Sequence, residues 1–198
     1  AIDFEKELGL LRFIRQNFDA KTIEIRVDAN GAFNSNEALS KLNQLNEFEL
    51  HSIEQPIKAN QIQEMKILCQ QTPFPIALDE ELIGVFGIEK KRKLLEEIQP
   101  QYIILKPSLV GGFKGTLEWI SIAESLNIGW WITSALESNI GLNAITQFTF
   151  TLNNPMPQGL GTGGLYTNNF DCPLEIDKGH IKYNVQKHWD VSNLGISL

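Results

Sequence analysis

Four charged side chains recur along this chain at nearly constant intervals: Asp28, Glu54, Asp79 and Lys106, with Ser134 one interval further. The steps are 54 − 28 = 26, 79 − 54 = 25, 106 − 79 = 27 and 134 − 106 = 28 residues. Each of the five closes a short run of strand length that carries apolar residues: "IRVD", "HSIE", "IALD", "IILK" and "WITS". Three carboxylates brought into one small space repel one another strongly unless a cation neutralises them. Oxygen ligands on separate strands suit a hard ion, Mg2+ before Ca2+ or Mn2+. Lys106 ends an otherwise apolar strand, where an amine needs partners, and desolvation with nearby charge can tune it for proton chemistry. Glu80 is placed to orient that amine, and an ion pair of Lys106 with Glu80 or Asp79 is equally its structural reading. A single strand-end acid is ordinarily just solvated; three in successive units, in register, fit that reading poorly.

The elements that must position these residues follow from the same rhythm. Between the apolar runs lie amphipathic segments at roughly 35–48, 60–72, 87–97, 113–127 and 138–152, so strand and helix alternate. Ser35 is the expected cap of the first of these, and Pro100 ends the third. A strand–helix unit of near-constant length is the mark of a repeating parallel architecture, since antiparallel hairpins need shorter connections. A doubly wound sheet would carry a Gly-rich phosphate fingerprint after its first strand, and there is none. The fold class expected is therefore α/β, a partial (β/α)8 barrel with about six βα units visible, whose active-site residues sit at the carboxyl ends of the strands. In "EIRVDANGAF" one face carries Glu24, Arg26, Asp28 and Asn30; in a barrel that face lines the interior, with Glu24 and Arg26 as an ion pair low in the lumen.

The first residues, "AIDFEKELGLLRFIRQNF", open directly on an amphipathic helix with Asp3 as its cap and Leu8, Leu11 and Ile14 on one stripe. With no initiating Met and two strands short of closure, the expectation is a segment of a longer protein whose N-terminal capping domain and first barrel strands lie upstream. The barrel domain is expected over 1–171. The tail, 172–198, reads as a β-hairpin turning at Lys178–Gly179 and packing on that upstream domain.

The formal net charge of −7 and the lack of a basic run argue against nucleic acid. No apolar run is long enough to span a membrane and no signal peptide opens the chain, so a cytoplasmic location is expected. Cys69 and Cys172 match no zinc spacing and are expected to be reduced. His51, His180 and His188 all fall away from the strand ends. Gly111 and Gly112 precede a helix and form either an anion-binding turn or a plain one. Ser134 is a candidate donor to a substrate carboxylate, and the glycines around Gly161 would let backbone approach a ligand closely.

"VDAN", "IEQP", "LDE" and "LKP", in that order and spacing, resemble the barrel domain of the enolase superfamily, muconate-lactonizing subgroup. The resemblance runs from the opening helix to about Tyr166. It implies that Asp28, Glu54 and Asp79 bind Mg2+, with Mn2+ as a substitute, and that Asn30 supports the metal or substrate by hydrogen bonds. The metal would stabilise the enediolate formed when the carbon beside a substrate carboxylate loses its proton; this superfamily is a standard example of that chemistry. The subgroup's Lys-x-Lys pair at the end of the second barrel strand is missing here, and is expected upstream. "LKPSLVGGF" with "GLGTGGLYTNNF" is most similar to the water-eliminating branch that serves menaquinone synthesis. There Lys106 would face the ring and hold developing charge, with a cation–π contact as the ring becomes aromatic. The alternatives are an N-acylamino acid racemase or dipeptide epimerase, with Lys106 as second acid/base, or a barrel that keeps its cation site without catalysis. The last strand lacks the Asp-x-Asp expected of epimerases. The expected partner is a small carboxylate substrate; self-association is left open.

Overall fold

The computed structural model describes residues 3–190 and 192. Helix α1 (Phe4–Asn17) starts where its sequence caps it: the Asp3 carboxylate accepts from the Lys6 N–H, and Leu8 and Leu11 are buried. Strands and helices then alternate as β1 (Arg26–Asp28), α2 (Ser35–Leu45), β2 (Ser52–Glu54), α3 (Ile62–Gln71) and β3 (Ile76–Leu78). They continue as α4 (Ile88–Ile98), β4 (Tyr102–Leu105), α5 (Gly112–Ser125), β5 (Gly129–Ile132) and α6 (Asn139–Thr151). The sheet runs β1-β2-β3-β4-β5 with every neighbouring pair parallel. Strands laid down in sequence order with a helix between each pair are barrel winding; a doubly wound sheet reverses its order at a switch point.

Period-two alternation sorts the side chains between two environments. Ile53, Ile76, Leu78, Ile103, Leu105, Trp130 and Ile132 belong to the large core shared with the helices, whereas Ala77, Ile104 and Trp131 form a separate cluster on the lumen side. Arg26, Asp28, Ser52 and Glu54 continue the lumen file, because Arg26 pairs with Ser52, Asp28 with Glu54 and Glu54 with Ala77 across the parallel ladder. The charged face of "EIRVD" thus shares the lumen file by register, with Arg26 half-buried and Glu24 and Asp28 still exposed.

Two expectations are corrected. Of the six or so βα units expected, the last has no strand of its own: the stretch 157–161, "PQGLG", makes one parallel bridge, between Gly159 and Thr133. Pro155 and Pro157 supply no N–H to a ladder, so pairing begins only at Gly159, whose N–H donates to the Ile132 carbonyl at 2.8 Å. Helix α2 is capped by Asn34 and not by Ser35, with Glu37 accepting from the Asn34 N–H at 3.4 Å. Its last expected residues, Asn46–Phe48, tighten into a 3-10 turn.

The loop after β4 returns to α5 through a close approach. A Cβ at Gly115 would lie 2.2 Å from the Val110 carbonyl oxygen, and the fully buried Lys91 amine donates to the Gly115 carbonyl at 2.9 Å while pairing with Glu118 at 2.9 Å. Gly115→Ala is expected to cost about 1–3 kcal/mol through overpacking, read as a lowered midpoint in urea unfolding with unchanged m value.

Past α6 the chain makes a two-stranded antiparallel hairpin, β6 (Leu174–Asp177) and β7 (His180–Tyr183), outside the parallel sheet. Its turn residues Lys178 and Gly179 both have positive φ, the conformation a two-residue hairpin turn requires. The segment before it is pinned to the start of α6: Asn139 donates to the Phe170 carbonyl at 2.5 Å, and the Phe170 N–H donates back to the Asn139 side chain at 3.3 Å. Among the described residues no helix is long and apolar enough to cross a membrane.

Candidate active site

Asp28 and Glu54 close β1 and β2; Asp79 and Lys106 each follow the last residue of β3 and β4. The ladder aligns Asp28 with Glu54, Glu54 with Ala77, and Ala77 with Tyr102. Asp79 therefore sits two positions (79 − 77) and Lys106 four positions (106 − 102) beyond that row, the stagger of tilted barrel strands. All four keep the lumen-facing parity of their strands.

Asp28 is exposed at the rim, where its carboxylate accepts from the Asn30 N–H at 2.7 Å. Asn30 and Gly31 turn the chain with positive φ, and a Cβ at Gly31 would lie 2.9 Å from the Lys58 Cα. The Gly that ends the opening strand is thus required by backbone passing beside it. Asp79 is only 2% exposed, and its carboxylate is ion-paired with Lys106; the same amine lies 3.7 Å from Glu54. Burial first, then the Asp28 charge and a hydrogen bond with Asp79, push the Glu54 carboxyl up to about 9. Burial also raises Glu80, and one of its oxygens, Oε2, is buried without a hydrogen-bond partner. For Lys106, burial opposes the charge, but Asp79, Glu54 and Glu80 outweigh it and hold the amine above its ordinary value.

The carboxylates share one rim, yet among the described residues no three His, Cys, Asp or Glu side chains close into a ready cage for an ion. Like charges spread apart and the Lys106 ammonium is drawn between Asp79 and Glu54. The donor set fits a hard divalent cation nonetheless: it is all oxygen, a carboxyl is forced to keep its proton, and the orphaned Glu80 oxygen marks a pocket short of positive charge. Asp28, Glu54 and Asp79 are the residues that could hold it.

Other expected residues have more specific surroundings. The buried Ser134 hydroxyl donates to Glu137 Oε2 at 2.6 Å and accepts from the Leu136 N–H at 2.9 Å, so its proton is committed within the protein. The Gly112 N–H is likewise spent, donating to the Pro107 carbonyl at 2.9 Å, while Gly111 adopts φ +100 as the cap of α5. Gly161 opens an exposed 3-10 turn, Gly161–Gly164, with free space where its Cβ would be. Glu24 and Arg26 do pair, at 2.9 Å, and the guanidinium lies over Trp131 at 4.3 Å from the ring centroid. His51 packs against Tyr102, away from the rim.

Sequence reasoning missed Glu137 and Gln55. Glu137 accepts from Ser108, Ser134 and the Ala135 N–H, stapling the loop after β4 to the loop after β5. Burial works against its charge, but those hydrogen bonds outweigh it and keep the carboxyl below its usual range. Gln55 is completely buried beside Glu54. Its only signal was its place in "IEQP", where an amide next to a candidate ligand carries no message unless its contacts are known.

Residues 2–186 match the family model described as enolase C-terminal domain-like. The chain is 56% identical over 179 residues to an o-succinylbenzoate synthase of Desulfotalea psychrophila, covering 90% of this chain and 48% of that protein. The crystal structure of MenC from the same organism superposes with a TM-score of 0.88 at 55% identity, covering 91% of this chain and 50% of that one. An N-succinylamino acid racemase of Thermus thermophilus is 33% identical over 132 residues, 67% of this chain and 34% of its own length. The chain spans about half the length of the curated relatives it matches. Parallel strands wound in sequence order, polar residues at their carboxyl ends and these matches agree: the chain belongs to the enolase C-terminal domain-like family.

Proposed function

We propose that this chain is the barrel half of a Mg2+-dependent o-succinylbenzoate synthase, a carbon–oxygen lyase that removes the proton beside a carboxylate and eliminates water. The observation that carries the reading is the Lys106 ammonium set between Asp79 and Glu54 at the carboxyl ends of neighbouring parallel strands, with Asp28 aligned on Glu54. The 56% identity to an o-succinylbenzoate synthase, spread over 90% of the chain, supports the choice of reaction.

Asp28, Glu54 and Asp79 would hold the cation, which supplies the positive charge that a substrate carboxylate needs as the neighbouring carbon becomes anionic. Lys106 stays protonated beside the acids and offers a second fixed charge to the same developing anion, pre-positioned by Asp79 so that no reorganisation is needed. The substrate in this reading is a cyclohexadiene carboxylate with a succinyl chain and a hydroxyl on the adjacent carbon. Its C–H bond yields a proton to a lysine of the second barrel strand, outside this segment. A ring double bond forms, the C–O bond breaks, and hydroxide leaves as water with the proton returned. Backbone near Gly161 and the Ser134 loop would face the succinyl carboxylate; with its own proton given to Glu137, Ser134 acts there as a loop anchor. The tail from Cys172 on, whose residues 191 and 193–198 lie outside the described ones, would pack on the N-terminal domain, and the protein would act in the cytoplasm.

A racemase of N-acylated amino acids is the second reading, favoured by the similarity to the Thermus enzyme. It makes Lys106 the acid/base of the opposite face. Assaying the complete protein with Mg2+ on both substrates separates them. Loss of the cyclohexadiene absorbance with a kcat/KM well above that for N-succinylamino acid racemisation is expected. The reverse order overturns the proposal, and cation binding without either turnover supports the non-catalytic barrel.

A further inference from the structure

Gln55 is the most heavily bonded side chain near the rim, and neither proton transfer nor cation ligation uses it. It is completely buried, with φ +34 in the left-handed region that a glutamine rarely adopts. Every hydrogen-bonding position of its amide is filled. Nε2 donates to the Ile57 carbonyl at 3.0 Å and to Glu81 Oε2 at 3.3 Å. Oε1 accepts from the Asp79 N–H at 3.1 Å and from the Glu81 N–H at 3.3 Å. Its backbone extends the reach, donating to the Ala77 carbonyl at 2.9 Å and accepting from the Gly31 N–H at 2.7 Å. Glu81, 5% exposed, is itself held by the Asn60 N–H, which donates to Oε1 at 2.8 Å.

One residue therefore ties together the turns after β1, β2 and β3, the three that present Asp28, Glu54 and Asp79. The link to Asp79 is direct, through that residue's own N–H, and the link to Glu54 is the peptide bond between them. A buried polar network with every member satisfied defines a geometry sharply, because any displacement leaves a donor or acceptor unpaired in a low-dielectric interior.

We propose that Gln55, braced by Glu81, is a positioning residue for the cation site: it sets the separation of the Glu54 and Asp79 carboxylates and thereby the site's preference for a small ion. The inference rests on the cation-site reading above. Mg2+ demands near-ideal octahedral geometry at short bond lengths, whereas Ca2+ accepts longer and more variable ones. A bracket that enforces spacing should accordingly matter more for Mg2+ than for Ca2+.

The test is calorimetric titration of the complete protein with MgCl2 and, separately, CaCl2. Gln55→Met keeps length and burial but removes the amide; Glu81→Gln keeps an acceptor for Asn60 and is the milder variant should the first fail to fold. Weakening of Mg2+ binding by about 10–100-fold is expected for Gln55→Met, the range for residues that orient metal ligands. Glu81→Gln should lie between it and the wild type, and in both variants Ca2+ binding should weaken less, so that the Mg2+/Ca2+ affinity ratio falls. Variants that melt earlier but keep that ratio make Gln55 a plain structural residue and overturn the proposal. If the wild type binds neither ion, or Glu54→Gln binds Mg2+ as well as the wild type, the cation site itself is wrong and the proposal goes with it.

Discussion

Lys106→Ala in the complete protein is expected to lower kcat by about 10²–10⁴-fold, the scale of a positioned proton-transfer or charge-stabilising side chain, while Mg2+ binds at least as tightly as before. The two halves of that expectation have one origin. The amine is ion-paired with Asp79 and lies 3.7 Å from Glu54, two of the three carboxylates that would ligate the cation. As a positive charge among the proposed ligands it would compete with the ion, and as a positive charge facing the proposed substrate it would serve the reaction. Removing it should separate these roles. The variant's metal-free form should be the less stable, since Asp79, 2% exposed, loses its counter-charge, and Mg2+ should restore most of that loss. Steady-state turnover and Mg2+ titration on the same preparation read both quantities. An unchanged kcat removes Lys106 from the chemistry; a large loss of Mg2+ affinity makes it a support of the site in place of a competitor.

The second large effect is a pH dependence of cation binding. In the metal-free fold the Glu54 carboxyl is pushed up to about 9, by burial first and then by Asp28 and Asp79, against an ordinary 4.5. At neutral pH it keeps its proton and must give it up to become a ligand. Apparent Mg2+ affinity should therefore rise with pH by up to about tenfold per unit between pH 6 and 8, with close to one proton released per ion bound. Titrations in buffers of different ionisation enthalpy count that proton, and Glu54→Gln should abolish its release. The stability of the metal-free protein has the opposite slope. A group that holds its proton to about 9 when folded, and only to 4.5 when unfolded, contributes fully below 4.5. That contribution is lost as pH rises through 9. Metal-free protein should thus melt at lower temperature at pH 9 than at pH 6, and saturating Mg2+ should narrow the gap. Affinity independent of pH across this range would mean that Glu54 is already ionised.

The parallel α/β repeat was legible in the sequence because it rests on local regularities: apolar runs of strand length, amphipathic segments of helix length and a spacing of 25 to 28 residues between strand-end polar groups. That spacing named Asp28, Glu54, Asp79 and Lys106 before any geometry was known, and the parallel ladder carries them to one rim. Element ends were less legible, since they turn on single contacts. Asn34 displaces Ser35 as a cap because Glu37 reaches its N–H, and the sixth strand shrinks to a bridge at Gly159 because two prolines precede it.

What the sequence determined by itself, then, is which residues come round at the same phase of a repeating unit, because strand and helix periods are properties of neighbouring residues. Tertiary structure alone decided what those residues meet. The Ser134 hydroxyl given to Glu137, the Gly112 N–H taken by Pro107 and the Gln55 amide spanning three turns join residues that periodicity does not relate. So does the carboxyl of Glu54, which is raised by burial among neighbouring strands. Hydrogen bonds and desolvation act across space over a few ångströms, and only the packing of strands and loops against one another sets those distances.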